Sequence, residues 1–187
     1  MPAYVEEMDA ASLKIVNIFP DNFKAGLPTA PAQVVLIDAS TGIVSAVLDG
    51  TYVTQLRTGA ASGAAFSALA RKDAKVGALI GTGGQAATQL EAMLCARDLE
   101  TVKIYDVDPA RLNAFVERMR GELASYGAEL IAAASSDEAV EGADILVTMT
   151  PSLKPVFNAE KVKAGCTISC VGAYQPHMQE MDPAILP

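Results

Sequence analysis

From Lys75 onward, short apolar runs alternate with longer stretches in which apolar positions recur every three or four residues. The runs cover residues 76–80, 102–105, 129–132, 144–148 and 167–171; the periodic stretches cover 85–97, 109–126 and 136–141. The runs are strand-sized and the longer stretches read as helices, with Pro109 suited to a helix's first turn. Strands this apolar have no face to turn to water. Both faces must be covered, which predicts a parallel sheet between helices, a doubly wound α/β domain.

Before residue 72 the pattern differs. Apolar stretches of strand character cover 13–19, 33–38 and 43–49, the last two separated by Ala39-Ser40-Thr41-Gly42, a hairpin turn by composition. Residues 20–28, Pro20-Asp21-Asn22-Phe23-Lys24-Ala25-Gly26-Leu27-Pro28, are dense in turn formers and read as loop. From Thr54 to Arg71 the chain is rich in alanine and other small residues, a helix able to pack closely on a neighbour, with Thr54 as its N-cap. The methionines and the Phe66/Leu69 pair at helical spacing are expected in the core. Residues 1–72 and 73–187 are therefore expected to be separate domains.

Composition narrows the function. A chain of 187 residues that is 51% hydrophobic and 19% charged has room for a packed core, so wholesale disorder is excluded. The net charge of −8, with no basic cluster, disfavours nucleic acid as a partner. The N-terminus has no basic segment leading into an apolar stretch, and no apolar run approaches the ~18 residues of a membrane span. Cys95, Cys166 and Cys170 are expected to be reduced structural thiols of a cytoplasmic protein. With His177 the only histidine, no metal site is expected.

The sharpest local signal is Gly81-Thr82-Gly83-Gly84-Gln85-Ala86, directly after the strand at 76–80 and opening a helix. Gly81 permits a tight turn, Gly83 lets backbone approach a diphosphate, and Ala86 keeps the helix close to the sheet. The helix N-terminus offers unpaired N–H donors and the positive end of its dipole. Asp106 closes the next strand, at the place and spacing of a carboxylate that accepts hydrogen bonds from an adenosine ribose. It favours NAD over NADP because it would repel a 2′-phosphate. Arg111 is the nearest cation and keeps NADP as the alternative.

Two cations stand out in the first part. Lys14 lies within an apolar strand and by alternation points opposite to Leu13 and Ile15, into solvent or a cleft. Arg57 stands among small and apolar helix residues, where a guanidinium suits carboxylate capture. His177, in Gln175-Pro176-His177-Met178, is by residue type an inviting general base but sits in a proline-bearing loop, where a surface role is expected.

Several segments together resemble the ornithine cyclodeaminase/mu-crystallin family. They are Leu13-Lys14-Ile15-Val16-Asn17, Gly26-Leu27-Pro28-Thr29, Leu56-Arg57-Thr58-Gly59-Ala60-Ala61, the glycine turn, Ala143-Asp144-Ile145-Leu146-Val147-Thr148-Met149-Thr150-Pro151, and Val171-Gly172-Ala173-Tyr174-Gln175-Pro176-His177-Met178-Gln179-Glu180. The resemblance implies a Rossmann NAD(H) domain, a partial α+β substrate-binding and dimerisation domain, and a homodimer in the full-length protein. It also implies hydride transfer at the α-carbon of a small amino acid or its imine, as in ornithine cyclodeaminases, where ammonia loss and cyclisation give proline. Cyclic ketimine reductases, alanine dehydrogenases and a non-catalytic NAD(P)H-binding protein like mu-crystallin are the alternatives.

By the same resemblance Lys14 and Arg57 match substrate-carboxylate cations. Thr29, Gly84, Gln85, Asp106 and Thr150 match cofactor contacts, as does the stretch Ile168, Ser169, Cys170 and Val171. Tyr174 stands where ornithine cyclodeaminases place a catalytic aspartate, and Met178 where they place a lysine. Tyr174 can still donate or accept one hydrogen bond, and the change moves the expectation from ornithine toward another imine or amino acid. Family members are longer, so the chain is expected to be a fragment or to have a misplaced start. It would lack an N-terminal part with another substrate arginine, the last nucleotide-domain strand and the returning helix, and turnover by this stretch alone is not expected.

Overall fold

The computed structural model describes residues 1–186, and the chain divides into two units, Met1–Arg57 and the residues from Thr58 onward. The first is a four-stranded antiparallel sheet in sequential order: β1 (Pro2–Val5), β2 (Ala10–Val16), β3 (Ala32–Asp38) and β4 (Val44–Asp49). The hydrophobic pattern did not reveal β1, because all four of its residues are exposed and nothing alternates. β2 begins earlier than its apolar run, as Ala10, Ala11 and Ser12 pair with Asp38, Ile37 and Leu36 of β3.

The β3–β4 hairpin forms at the expected turn, with Gly42 at φ +74°. Asp38 organises it: its Oδ1 accepts from the Ser40 N–H at 3.0 Å, the Ser40 hydroxyl at 2.7 Å and the Thr41 N–H at 2.8 Å.

Helix α1 (Gly50–Leu69) starts four residues before the expected cap. Asp49 Oδ1 accepts the Thr51 N–H at 2.9 Å, satisfying an orphan donor of the first turn. Thr54 is therefore not the N-cap but a buried residue inside the helix. A side chain at Gly50 would place Cβ 2.7 Å from the β3 backbone, so the sheet can feed the helix directly only through glycine. At the other end, the Arg97 guanidinium donates to the carbonyls of Ser67, Ala70 and Arg71 and closes the helix. Phe66 is fully buried as expected, but Leu69 is exposed because the helix ends there. Met93 and Met119 are core residues, whereas Met1 and Met8 are exposed.

The units part within α1, while the boundary drawn at residue 72 falls in the loop beyond it. The second half of α1 belongs with the later residues because glycines let it meet their first helix. A Cβ at Gly59 would stand 2.5 Å from the Thr88 carbonyl oxygen, and one at Gly63 3.3 Å from the Ala92 side chain.

The second unit is the doubly wound fold. Strands β5 (Val76–Ile80), β6 (Thr101–Tyr105), β7 (Glu129–Ala132), β8 (Ile145–Thr148) and β9 (Thr167–Cys170) form an all-parallel sheet of order β7-β6-β5-β8-β9. Helices α2 (Ala86–Ala96), α3 (Pro109–Glu122) and α4 (Ser136–Val140) connect the first four strands. Successive residues feed opposite faces, as strand geometry requires. Leu79, Ile145 and Val147 join Phe66, Leu90, Met93 and Phe115 in one core; Ala78, Ile80 and Leu146 join Val140 and Phe157 in the other. Asp144 ties the sheet at its foot, accepting the N–H groups of Lys75 and Val76 at 2.9 Å each and pairing with Lys163 at 2.6 Å. The order of connections reverses between β5 and β8, and a doubly wound sheet opens its ligand crevice at that point.

Among the described residues, no helix is long and apolar enough to cross a membrane.

Candidate nucleotide site at the switch point

The glycine turn leaves β5 at this reversal. Gly81 has φ +95°, and a Cβ there would stand 2.9 Å from the Met149 carbonyl oxygen just beyond β8, so no other residue fits without strain. At Gly83 the opposite holds: a Cβ would meet nothing within 4 Å, and the loop faces open space. Ala86 is fully buried and sets α2 on the sheet. Among the described residues, the N–H groups of Gly83, Gly84 and Gln85 meet no protein acceptor. Gln85 Oε1 is likewise buried without a protein partner. Three successive backbone donors at the start of an eleven-residue helix, beside open space, suit a diphosphate. A separate cavity of about 380 Å³, lined in part by Cys95, Arg97 and Tyr126, lies at the other end of α2.

Asp106, just past β6, turns toward the glycine loop as the motif requires. Its Oδ2 accepts the Thr82 N–H at 2.8 Å and the Thr82 hydroxyl at 2.7 Å, and its Oδ1 accepts the Asp108 N–H at 2.9 Å. Arg111 closes on the same carboxylate, Nε to Oδ2 at 3.1 Å and Nη2 to Oδ1 at 2.5 Å. Burial alone would raise the pKa of this acid. Arg111, with the donors from Asp108 and Thr82, outweighs burial and holds it below the usual carboxylate range, so it is ionised at neutral pH. The sequence motif anticipated the acid but not its partner. The available signal was an arginine one turn into the next helix, whose start is set by the Asp108 cap and Pro109.

On the other side of the crevice, Glu180 joins the exits of β8 and β9. Its carboxylate accepts the Thr150 N–H at 2.6 Å, the Thr150 hydroxyl at 2.9 Å and the Gly172 N–H at 2.6 Å, while the side chain is almost wholly buried. Gly172 packs directly on the Thr150 backbone, where a Cβ has no room. The Thr150 hydroxyl hydrogen is thus engaged with Glu180, and its lone pairs remain for a ligand. Nothing in the chain's periodicity marks Glu180 for this role, because its partner lies 30 residues away and both sit in loops.

The stretch Ile168 to Val171 covers the end of β9 and the residue after it. Ile168 packs in one core, Val171 against the other, and the Ser169 hydroxyl meets that of Ser62 at 3.3 Å. Cys170, at the end of β9, is exposed; burial of its sulfur is the main cause raising its pKa. Tyr174 and His177 both lie exposed in the following loop.

In the first unit, Lys14 is half-buried while its neighbour Ile15 is 53% exposed, so the cation and not the apolar side chain points inward. Lys14 Nζ donates to Thr54 Oγ1 at 3.4 Å. Burial, and then the positive charge of Arg57, lower its pKa. Among the described residues neither cation enters an ion pair. The two like charges are thus near enough to repel, and neither is neutralised by a carboxylate among the described residues. Thr29 is exposed on the loop between β2 and β3, where its carbonyl accepts the Phe19 N–H at 2.8 Å.

A family model described as ornithine cyclodeaminase/mu-crystallin matches residues 1–187. An alanine dehydrogenase of Archaeoglobus fulgidus is 45% identical over 188 residues, covering 100% of this chain and 55% of its own. A Delta(1)-pyrroline-2-carboxylate reductase of Bacillus cereus is 40% identical over 181 residues, covering 97% of this chain and 54% of its own. Among solved structures, the Thermococcus litoralis Delta(1)-pyrroline-2-carboxylate reductase in complex with NADH and L-proline superposes with a TM-score of 0.93 at 38% identity, covering 99% of this chain and 56% of that one. The chain spans about half the length of the curated relatives it matches.

Proposed function

The chain belongs to the ornithine cyclodeaminase/mu-crystallin family, and on that basis we propose that the protein is an NAD-dependent oxidoreductase acting at the C–N bond of a small amino acid or its imine. The observation that carries this reading is the glycine turn, with three free N–H donors opening α2 and Asp106 bound to Thr82 of the same turn. Bound NAD(H) would supply or accept the hydride. Reducing an imine then adds a hydride to carbon and a proton to nitrogen; the reverse oxidises the amine.

The chain's own contribution is positioning. Lys14 and Arg57 hold the substrate carboxylate and so fix the α-carbon, a restriction of freedom that supplies a large part of such a rate. Gly83, Gly84 and Gln85 hold the diphosphate, Asp106 the adenosine ribose and Thr150 the cofactor's far side. Tyr174 offers one hydrogen bond to the reacting nitrogen. A tyrosine there, in place of the cyclodeaminase aspartate, favours reduction of an imine or oxidation of an amino acid over ornithine cyclisation. The named relatives, a reductase and a dehydrogenase, support that direction. A homodimer of the whole protein belongs to the same reading, because Val44, Val47 and Leu48 of β4 stand exposed and a second copy would cover such surface. So does a cytoplasmic setting, in keeping with three free thiols.

The test is to follow NADH absorbance of the full-length protein with a cyclic imino acid, with pyruvate plus ammonia, and with ornithine and NAD. Turnover is expected with one of the first two, reduced roughly a hundredfold in Lys14→Ala while NADH affinity stays unchanged. Turnover that survives Lys14→Ala intact would remove the carboxylate role. Absence of NADH binding would remove the oxidoreductase reading as a whole.

A further inference from the structure

Asp106 has more donors than a carboxylate comfortably accepts. Two oxygens offer about four lone-pair positions, and five donor contacts reach them: Thr82 N–H, Thr82 hydroxyl and Arg111 Nε on Oδ2, and Asp108 N–H and Arg111 Nη2 on Oδ1. The Asp106 side chain is 3% exposed and that of Arg111 44%. The guanidinium therefore lies over the acid as its outer cover. A ribose hydroxyl cannot donate to Asp106 while all five contacts stand.

The five are not equally easy to release. Breaking the Thr82 or Asp108 contacts would strand a backbone N–H or a buried hydroxyl, a cost close to the full desolvation of the group. Arg111 can swing into water with its charge solvated. It is the donor that gives way.

We propose that Arg111 determines the choice between NAD(H) and NADP(H), acting as a cover that NAD(H) must displace from Asp106 and that NADP(H) engages. The proposal rests on the nucleotide site described above. Of the five guanidinium N–H donors, the bidentate pair uses one on Nε and one on Nη2. The remaining three are available to a 2′-phosphate, and the arginine's charge offsets the repulsion that Asp106 alone would impose. The acid by itself excludes NADP(H); the ion pair admits both dinucleotides.

This arrangement has a signature of opposite signs. Removing Arg111 frees Asp106 for the ribose diol and strengthens NADH binding, and it bares the carboxylate to a 2′-phosphate and weakens NADPH binding. The expected sizes are roughly threefold and tenfold, the scale of one charge-assisted hydrogen bond.

The experiment is calorimetric titration of the 187-residue chain and its variants with NADH, NADPH, 5′-AMP and 2′,5′-ADP. The wild-type chain is expected to bind both dinucleotides. Arg111→Ala and Arg111→Gln should tighten NADH and 5′-AMP while weakening NADPH and 2′,5′-ADP. Arg118→Ala, which removes the same charge from an exposed position of α3, should change neither pair. The proposal is overturned if the wild type binds NADH and not NADPH, if both dinucleotides shift the same way in the Arg111 variants, or if Arg118→Ala reproduces the effect. If no nucleotide binds the wild type, the nucleotide reading itself fails and this inference with it. Unfolding curves matching the wild type would tie the shifts to the site, and Gln keeps most of the side-chain stem should Ala perturb α3.

Discussion

The two sheets of this chain solve the problem of apolar surface in opposite ways. In the five-stranded parallel sheet, every residue of β8 and all but the first of β5 are buried, and the strand faces close against α2, α3, α4 and the loops after β8. In the four-stranded antiparallel sheet, β4 is exposed at five of six positions although three of those six are Val or Leu. Helices on both faces complete the parallel sheet from its own sequence. The antiparallel sheet, rich in Val, Ile and Leu, holds its strands by backbone pairing and keeps an apolar face in reserve. A substitution should therefore cost stability in one and surface character in the other.

The largest effect that could break this contrast is a cavity. Phe66 is fully buried among Leu90, Met93 and their neighbours. Phe66→Ala should cost about 3–5 kcal/mol, read as a lower urea midpoint. Val47, 63% exposed on β4, should lose less than about 0.5 kcal/mol on replacement by Ser. Comparable costs for the two would mean that the antiparallel sheet is packed as tightly as the parallel one.

The same contrast explains which parts of the fold were legible in the sequence. Strands β5 to β9 are continuous apolar runs between turn formers, and their bounds come within about a residue of the pattern. β1 is an edge strand with nothing buried, so no burial signal could mark it. The start of α1 was misjudged because its cap, Asp49, is also the last residue of β4, and an N-cap inside a strand has no separate signature. In the candidate site, the glycine turn and Asp106 were legible because the turn, helix start and strand end are local. Glu180 and the closure of Arg111 over Asp106 were not. Each depends on which loops the sheet order brings together.

A smaller effect sharpens the comparison through carboxylates. Asp144 is 7% exposed and serves two backbone donors and Lys163. Burial would raise its pKa; Lys163 and the N–H groups of Lys75 and Val76 outweigh burial and lower it. A carboxyl with a depressed folded-state pKa stabilises the fold above its unfolded value near 3.8 and loses that contribution as pH falls through the folded value. Asp144→Asn should cost about 1–3 kcal/mol at neutral pH. As pH falls through that folded-state value, the variant and wild type should converge in urea midpoint. A difference that persists unchanged into acid would assign the loss to packing rather than to charge.

The smallest effect belongs to the matching acid of the other sheet. Asp38 is exposed, yet its pKa is lowered to about 2, chiefly by the Ser40 hydroxyl, then by Thr41, with the Ser40 N–H adding to them. The sign is the same as for Asp144: the turn's hydrogen bonds are complete above the ordinary value of 3.8 and fail as pH falls through about 2. The consequence differs, because no buried group is stranded when this carboxyl is protonated and water reaches every donor. Carboxyl-carbon NMR should show Asp38 titrating near 2 in the wild type and closer to 3.8 in Ser40→Ala, with the urea midpoint at neutral pH little changed. A midpoint near 3.8 in both proteins would mean that the hairpin is held by its ladder and by Gly42 alone. A substantial loss of stability in Ser40→Ala would mean that the exposed turn, like the foot of the parallel sheet, depends on its acid.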